Sequence, residues 1–284
     1  MRRVVGIEQW RRLAEDQRAV GRRIGLVPTM GALHRGHQTL VEAARANGDY
    51  VIMTIFVNPR QFNDPNDLRA YPRTPEADRA LAESIGVDAL VEPALTEMWP
   101  NYPDPTPTTV SVAGLGDVLE GAGRPGHFDG VASVVAKLAI VTGPSRIYFG
   151  EKDFQQLAVV RRMVLDLGID AELVGCPIAR DNDGLALSSR NARLDDGART
   201  RALALNRALT LASELDGPAS AMRAVMRATM ECAGVEVGYA EVVEPETLQP
   251  LDDEATGQAR ALVAGVIDGV RLIDNRAVEL KKVG

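Results

Sequence analysis

Apolar residues fall in blocks of strand length, separated by stretches of helical period. Residues 24–27 and 50–57 are the first two blocks. Between them Leu40, Val41 and Ala44 share one face of a helix that opens near Gly36. Asn47-Gly48 closes it as a C-cap pair. Thr74-Pro75-Glu76 reads as the next helix start, with Thr74 at the N-cap and Pro75 at the first helical position. Gly86 ends that helix, and 88–91 is a short strand. Residues 93–107 are proline-rich and without period, which predicts a long surface loop. Residues 131–141 have the helical period, 146–149 form a strand, a helix runs through Leu167 to Gly168, and 173–176 is a last strand.

Strands spaced by helices predict an α/β fold: a mostly parallel sheet with helices on both faces. Ligands of such sheets bind outside the carboxyl ends of the strands. The pattern changes after Ile178. Two helical segments, 196–215 and 218–233, precede three strand-like pieces at 235–243, 260–266 and 270–280. Grouped helices and antiparallel strands predict a smaller α+β domain. The expected division is 1–178 and 179–284, with the boundary inside 178–183. No internal repeat or low-complexity tract interrupts the chain.

Four polar clusters lie at the predicted strand ends or at the domain boundary. The run Leu33-His34-Arg35-Gly36-His37 follows a strand and opens a helix. Unpaired amides and the positive end of the dipole make such a place an anion site, and imidazoles there add donors for a phosphate. A shared metal ion fits less well, because no Cys or acidic residue in the turn completes a ligand set. Phe149-Gly150-Glu151-Lys152-Asp153-Phe154-Gln155-Gln156 repeats the arrangement. Lys152 stands ahead of a helix start as a phosphate candidate, and Gln156 is placed to hydrogen-bond a small polar substrate. Ser188-Ser189-Arg190 suits a loop that closes over phosphates, since arginine offers a planar fork of donors; an ordinary serine-capped turn explains it equally. Asn58 and Gln61, in Phe56-Val57-Asn58-Pro59-Arg60-Gln61-Phe62, are amides aimed at the same rim, although Asn58-Pro59 also reads as a plain turn.

The chain has 284 residues, 45% of them hydrophobic, which is ample for a folded core. A net charge of -7 opposes general nucleic-acid binding but leaves room for a local cationic site for ATP. Cys176 and Cys232 both lie in apolar sequence and read as reduced, buried thiols. No signal peptide and no apolar run of about 20 residues is present, so no membrane role is expected. The simplest location is the cytoplasm.

Taken together, Pro28-Thr29-Met30-Gly31-Ala32-Leu33-His34, Phe56-Val57-Asn58-Pro59, Tyr71-Pro72-Arg73-Thr74, Phe149-Gly150-Glu151-Lys152-Asp153 and Ser188-Ser189-Arg190-Asn191 resemble the pantothenate synthetase (pantoate–β-alanine ligase) family. The resemblance runs in register from about residue 24 to 200 and more loosely to the end. It implies a Rossmann-like nucleotidyltransferase domain of the HIGH superfamily, binding nucleotide and pantoate, with a smaller C-terminal lid domain. It implies ATP, carrying Mg²⁺, as co-substrate, no metal ligands from the protein, and a homodimer. The implied reaction joins pantoate to β-alanine through a pantoyl-adenylate. His34, His37 and Lys152 then bind the triphosphate and stabilise the transition state, with Ser188, Ser189 and Arg190 closing over the phosphates. Met30 and Leu187 belong to the ATP site; Gly150 and Asp153 hold the nucleoside. Gln61 and Gln156 hold pantoate, and Asn58 and Tyr71 lie toward the second substrate.

The chain departs from that family's pattern in places. Arg35 replaces an acidic residue, Arg60 an apolar one and Leu187 a methionine. Asn63-Asp64-Pro65 replaces a glycine and a small residue, and Ala77 an acidic residue, although Asp78 remains. Arg35 lies between the two histidines, Arg60 just before Gln61, and the loop after Gln61 borders the acid pocket. The competing readings are a related adenylate-forming ligase for another hydroxy acid or amine, and an enzyme of the same fold that stops at nucleotidyl transfer. A catalytically silent metabolite-binding protein or a tRNA-interacting relative is opposed by the intact cluster residues and by the acidic charge.

Overall fold

The computed structural model describes residues 1–281. The chain divides into two compact units, Met1–Glu151 with Gln155–Pro177, and Lys152–Phe154 with the chain from Ile178 onward.

The first unit contains β1 (Arg2–Val4), α1 (Ile7–Ala19), β2 (Ile24–Thr29), α2 (Arg35–Ala46), β3 (Tyr50–Ile55), α3 (Pro65–Ala70), α4 (Pro75–Ser84), β4 (Ala89–Val91), α5 (Leu95–Met98), α6 (Glu120–Gly123), α7 (His127–Thr142), β5 (Ser145–Gly150), α8 (Phe154–Asp166, from Gln155) and β6 (Ala171–Cys176). Among the described residues the six strands form one parallel sheet in the order β1-β4-β3-β2-β5-β6. Helices cover such a sheet on both faces, so its strands read as unbroken apolar runs. Ile24, Leu26 and Val27 of β2 and Val51, Ile52 and Met53 of β3 have no exposed surface.

The chain winds outward from β2 through β3 to β4, then returns to β5 on the other side of β2. That reversal is the topological switch point, where sheets of this kind bind ligands. The ladders there are unequal. β2 and β3 pair through six residues, from Ile24↔Tyr50 to Thr29↔Ile55. β2 and β5 pair only through Gly25↔Arg146 and Leu26↔Ile147. Pro28, which has no amide hydrogen, lies beyond the end of that second ladder, which is how a central strand tolerates proline.

Several elements differ from the sequence expectation. β1 and α1 were not anticipated, although Trp10, Leu13 and Ala14 are the buried stripe of α1 at helical spacing. The loop at 93–107 contains the turn α5, whose entry is held by Glu97: its carboxylate accepts from the amides of Ala94 (3.0 Å) and Ile7 (3.1 Å). Helix α7 starts at His127, ahead of the expected 131.

The second unit contains α9 (Asp196–Glu214), α10 (Ala219–Cys232), β7 (Glu236–Val243), β8 (Gly257–Ile267) and β9 (Val270–Leu280). Its antiparallel sheet runs β7-β8-β9. A hairpin turn at Asp268-Gly269 joins β8 to β9 with positive φ at both residues (48° and 77°), as its twist requires. Alanines 198, 202, 208 and 212 of α9 and Met222, Met226 and Met230 of α10 form the core against the sheet. Cys232 corrects the expectation of two buried thiols: Cys176 is buried, but Cys232 is exposed at the end of α10.

Candidate active site

The turn that leaves β2 is built by local hydrogen bonds. Thr29 Oγ1 donates to the Thr54 carbonyl (2.7 Å) and accepts from the Gly31 amide (3.2 Å). The Asp78 carboxylate, buried in α4, accepts from the amides of Ala32 (3.0 Å) and Leu33 (2.7 Å). Thr74 holds the N-cap position of α4, but its hydroxyl meets Asp78 Oδ1 (3.2 Å) instead of a helix amide. Gly31 has φ 82°, and a Cβ there would stand 2.9 Å from Asp78 Oδ2. Glycine is therefore required on two counts. Met30 sits half-buried in this turn, and Arg35 is exposed.

The histidines cap α2 reciprocally. His34 Nδ1 accepts from the Gly36 amide (3.1 Å), and His37 Nδ1 accepts from the His34 amide (3.2 Å). The rings lie 4.2 Å apart between centroids. A neutral imidazole whose Nδ1 accepts carries its proton on Nε2. Both rings thus present an Nε2–H donor at the positive end of a helix, where anions bind.

Asn58 and Gln61 form a second group. The indole N–H of Trp99 only donates, so its 2.9 Å bond to Asn58 Oδ1 settles which way the Asn58 amide points. Asn58 Nδ2 then donates to Gln61 Oε1 and to the Gly130 carbonyl, both at 3.0 Å. Asn58 is 1% exposed, and its amide is engaged on both sides. With Oε1 taken, Gln61 has its NH₂ as a donor. Gly130 admits no side chain, since a Cβ would lie 2.3 Å from the Arg60 carbonyl. The Gln61 carbonyl is held as well, by His127 Nδ1 (2.8 Å) and Arg124 Nη2 (3.3 Å). Tyr71 is buried with its ring edge-on to Phe62. Arg60 lies over the Trp99 ring, 5.1 Å from its centroid, and donates to the Asp104 carbonyl. Asp64 caps α3 through the Asn66 amide with Pro65 at the first position, which is the local reason for the unusual Asn63-Asp64-Pro65 run.

Gly150 ends β5 beside open space. Gln156 is half-buried on α8. Its neighbour Gln155 braces the preceding loop: Oε1 accepts from the Glu120 amide, and Nε2 donates to the carbonyls of Leu115 and Val118.

The remaining predicted residues belong to the second unit. Lys152 and Asp153 occupy a 3₁₀ turn, with Lys152 Nζ 3.6 Å from the Asp153 carboxylate. Leu187 donates its amide to the Ala179 carbonyl (2.9 Å), which completes a small hairpin bridged at Arg180↔Ala186. Ser188 caps the 3₁₀ turn Ser189–Arg193 through the Arg190 amide (3.3 Å). The structure thus joins His34 to His37, Asn58 to Gln61, and Lys152 to Asp153, and it puts Lys152 in the same unit as Ser188, Ser189 and Arg190.

Sequence reasoning left out the residues that hold these groups. Asp78, Trp99, Arg124 and His127 had a visible signal only in part: the third histidine of the chain sits in Arg124-Pro125-Gly126-His127. Asp274 and Asn275 had none.

A doubly wound parallel sheet with a donor-lined helix start at its switch point defines a nucleotide-binding α/β protein. The comparison with known proteins narrows this. Residues 2–277 match the model of the family described as pantoate-beta-alanine ligase, and the chain belongs to that family. Pantothenate synthetase of Cereibacter sphaeroides is 50% identical over 273 residues, covering 95% of this chain and 96% of the relative. Pantothenate synthetase of Thermus thermophilus is 50% identical over 260 residues, covering 90% and 93%. A crystal structure of the Thermus thermophilus pantothenate synthetase superposes with a TM-score of 0.89 at 45% identity, covering 97% of this chain and 99% of that one. A crystal structure of pantoate-beta-alanine ligase from Francisella tularensis, complexed with beta-gamma ATP and beta-alanine, superposes with a TM-score of 0.80 at 34% identity, covering 100% and 99%. Among the described residues no helix is long and apolar enough to cross a membrane.

Proposed function

We propose that this chain condenses (R)-pantoate with β-alanine, using ATP, to give pantothenate, AMP and pyrophosphate. The observation that carries this reading is the family match along residues 2–277, because a fold alone hosts many chemistries. In the first step a pantoate carboxylate oxygen attacks the α-phosphorus of ATP and pyrophosphate leaves. In the second the β-alanine amine attacks the carbonyl of the pantoyl-adenylate, AMP leaves, and the amine gives up a proton.

The residue roles are those the family resemblance implies, and the chemistry of each group supports them. The Nε2–H donors of His34 and His37 hold phosphate oxygens, and their charge grows as the in-line transition state forms. Lys152, Ser188, Ser189 and Arg190 supply the cations and hydroxyls for the same phosphates, and Leu187 and Met30 line the ATP site. Gly150 leaves room for the nucleoside and Asp153 accepts from the ribose. Gln61 and Gln156 donate to pantoate. Asn58 acts by orienting Gln61, and Tyr71 borders the second substrate. Imidazole, ammonium and guanidinium donors suit phosphate oxygens and not a hard divalent cation, so Mg²⁺ enters on the ATP. We assign residues 1–178 to nucleotide and pantoate binding and 179–284 to a lid. We place the enzyme in the cytoplasm as a homodimer.

Two assays test this. Pantoate-dependent exchange of pyrophosphate into ATP, without β-alanine, is expected of the first step; exchange supported only by another hydroxy acid refutes pantoate as the substrate. AMP release is expected to require an amine, and release without one leaves a nucleotidyltransferase.

A further inference from the structure

The phosphate-binding groups assigned to the second unit come from two distant stretches of chain, Lys152 and 188–190. Both are tied to one dipeptide on β9. Asn275, 1% exposed, donates from Nδ2 to the Lys152 carbonyl (2.8 Å). Its Oδ1 accepts from Arg260 Nε (2.7 Å), and the Arg260 guanidinium stacks on Phe154, 4.3 Å from the ring centroid. Asn275 therefore grips the lysine turn directly while Arg260 grips the residue two further on. Asp274, also buried, receives a two-pronged bond from Arg180 (2.6 and 2.9 Å) and accepts from the Asn275 amide (2.7 Å). Arg180 in turn donates to the Gly184 carbonyl (3.2 Å) inside the hairpin that delivers Leu187 and Ser188.

Resting on the function proposed above, we infer that Asp274 and Asn275 are positioning residues for adenylate formation: together they hold Lys152 and the Ser188–Arg190 loop as one preorganised cationic group. A buried aspartate with a two-pronged arginine has one geometry, and a buried asparagine bonded on both sides has one orientation. Errors of about 1 Å in such a group cost catalysis about 100-fold, which gives the pair its effect.

The test uses the full chain carrying Asn275→Ala. Pantoate-dependent pyrophosphate exchange is expected to fall about 10- to 100-fold. The reaction of β-alanine with supplied pantoyl-adenylate, which involves no triphosphate, keeps its rate. Hydrogen exchange of the 150–156 peptide rises while that of β2 and α2 does not. Arg260→Met, which keeps apolar contact with Phe154 but loses the bond to Asn275, is expected to show a smaller drop in the same step, and it decides the matter if the Asn275 variant does not fold. Wild-type exchange with an unaltered 150–156 peptide overturns the inference. So does a fall of both half-reactions in step with the folded fraction, which is the mark of a structural role alone. A wild-type chain without pantoate-dependent exchange refutes the substrate reading only, and hydrogen exchange still decides this one.

Discussion

His34 and His37 cap one helix for each other: the first accepts the Gly36 amide, and the second returns the bond to the amide of the first. Structure and chemistry are therefore coupled in one pair of rings. His37→Ala is expected to lower stability by about 1 kcal/mol, the worth of a helix cap. It is expected to lower the rate of adenylate formation about 100- to 1,000-fold, the worth of a transition-state donor. Melting curves and exchange assays on the same preparation separate the two. An activity loss no larger than the cap accounts for would remove the phosphate role.

Asn58 decides which end of Gln61 is a donor. Asn58→Asp keeps the acceptor for Trp99 but offers no N–H to Gln61 Oε1, so the Gln61 amide loses its fixed orientation. The expected result is a raised KM for pantoate with that for ATP little changed. Loss of the buried bonds also costs stability, about 1–3 kcal/mol. Equal effects on both KM values would separate Asn58 from the acid pocket.

Tyr148, in the middle of β5, ties that strand to the turn between α2 and β3. Its hydroxyl donates to Asp49 (2.6 Å) and accepts from Asn47 (3.0 Å), while Arg23 pairs with the same carboxylate. Burial pushes the hydroxyl up to about 12, and the bond to Asp49 adds to this. Above the ordinary tyrosine value of 10 the unfolded chain loses this proton while the folded chain keeps it. The stability that Tyr148 contributes is therefore fully present below pH 10 and is lost as pH rises toward 12. Tyr148→Phe is expected to be less stable at pH 7 and to show a flatter alkaline limb in melting temperature. A limb as steep as that of the parent would dissociate it from this residue.

The two thiols are expected to differ. Burial, with the nearby charge of Glu151, pushes Cys176 up to about 11, whereas Cys232 is exposed. Thiolate is the reactive form. Iodoacetamide at neutral pH should label Cys232 in the native chain and both residues after denaturation. Prompt native labelling of Cys176 would contradict its burial.

Much of the architecture could be read along the chain. Buried parallel strands and one-sided helices each leave a local pattern of fixed period, and glycine, proline and capping residues mark where it stops. The strands from β2 to β6 and the helices α9 and α10 were legible for that reason. β1 was not, because two of its three residues are exposed arginines and leave no apolar run, whereas β4, equally short, is apolar throughout. The shifted start of α7 has a different cause: four residues precede the apolar stripe that reveals it, and the first of them, His127, is engaged with the Gln61 carbonyl.

The candidate site divides in the same way. Which residue types stand at which strand ends is a property of the order of amino acids, and that order by itself points to phosphate chemistry. How those groups are held belongs to the tertiary structure. Asp78 reaches the amides of Ala32 and Leu33 across more than 40 residues, and Asn275 reaches the Lys152 carbonyl across 123. Hydrogen bonds between residues so far apart leave no period in the chain, because each needs only one donor and one acceptor brought within 3 Å by the packing of everything else.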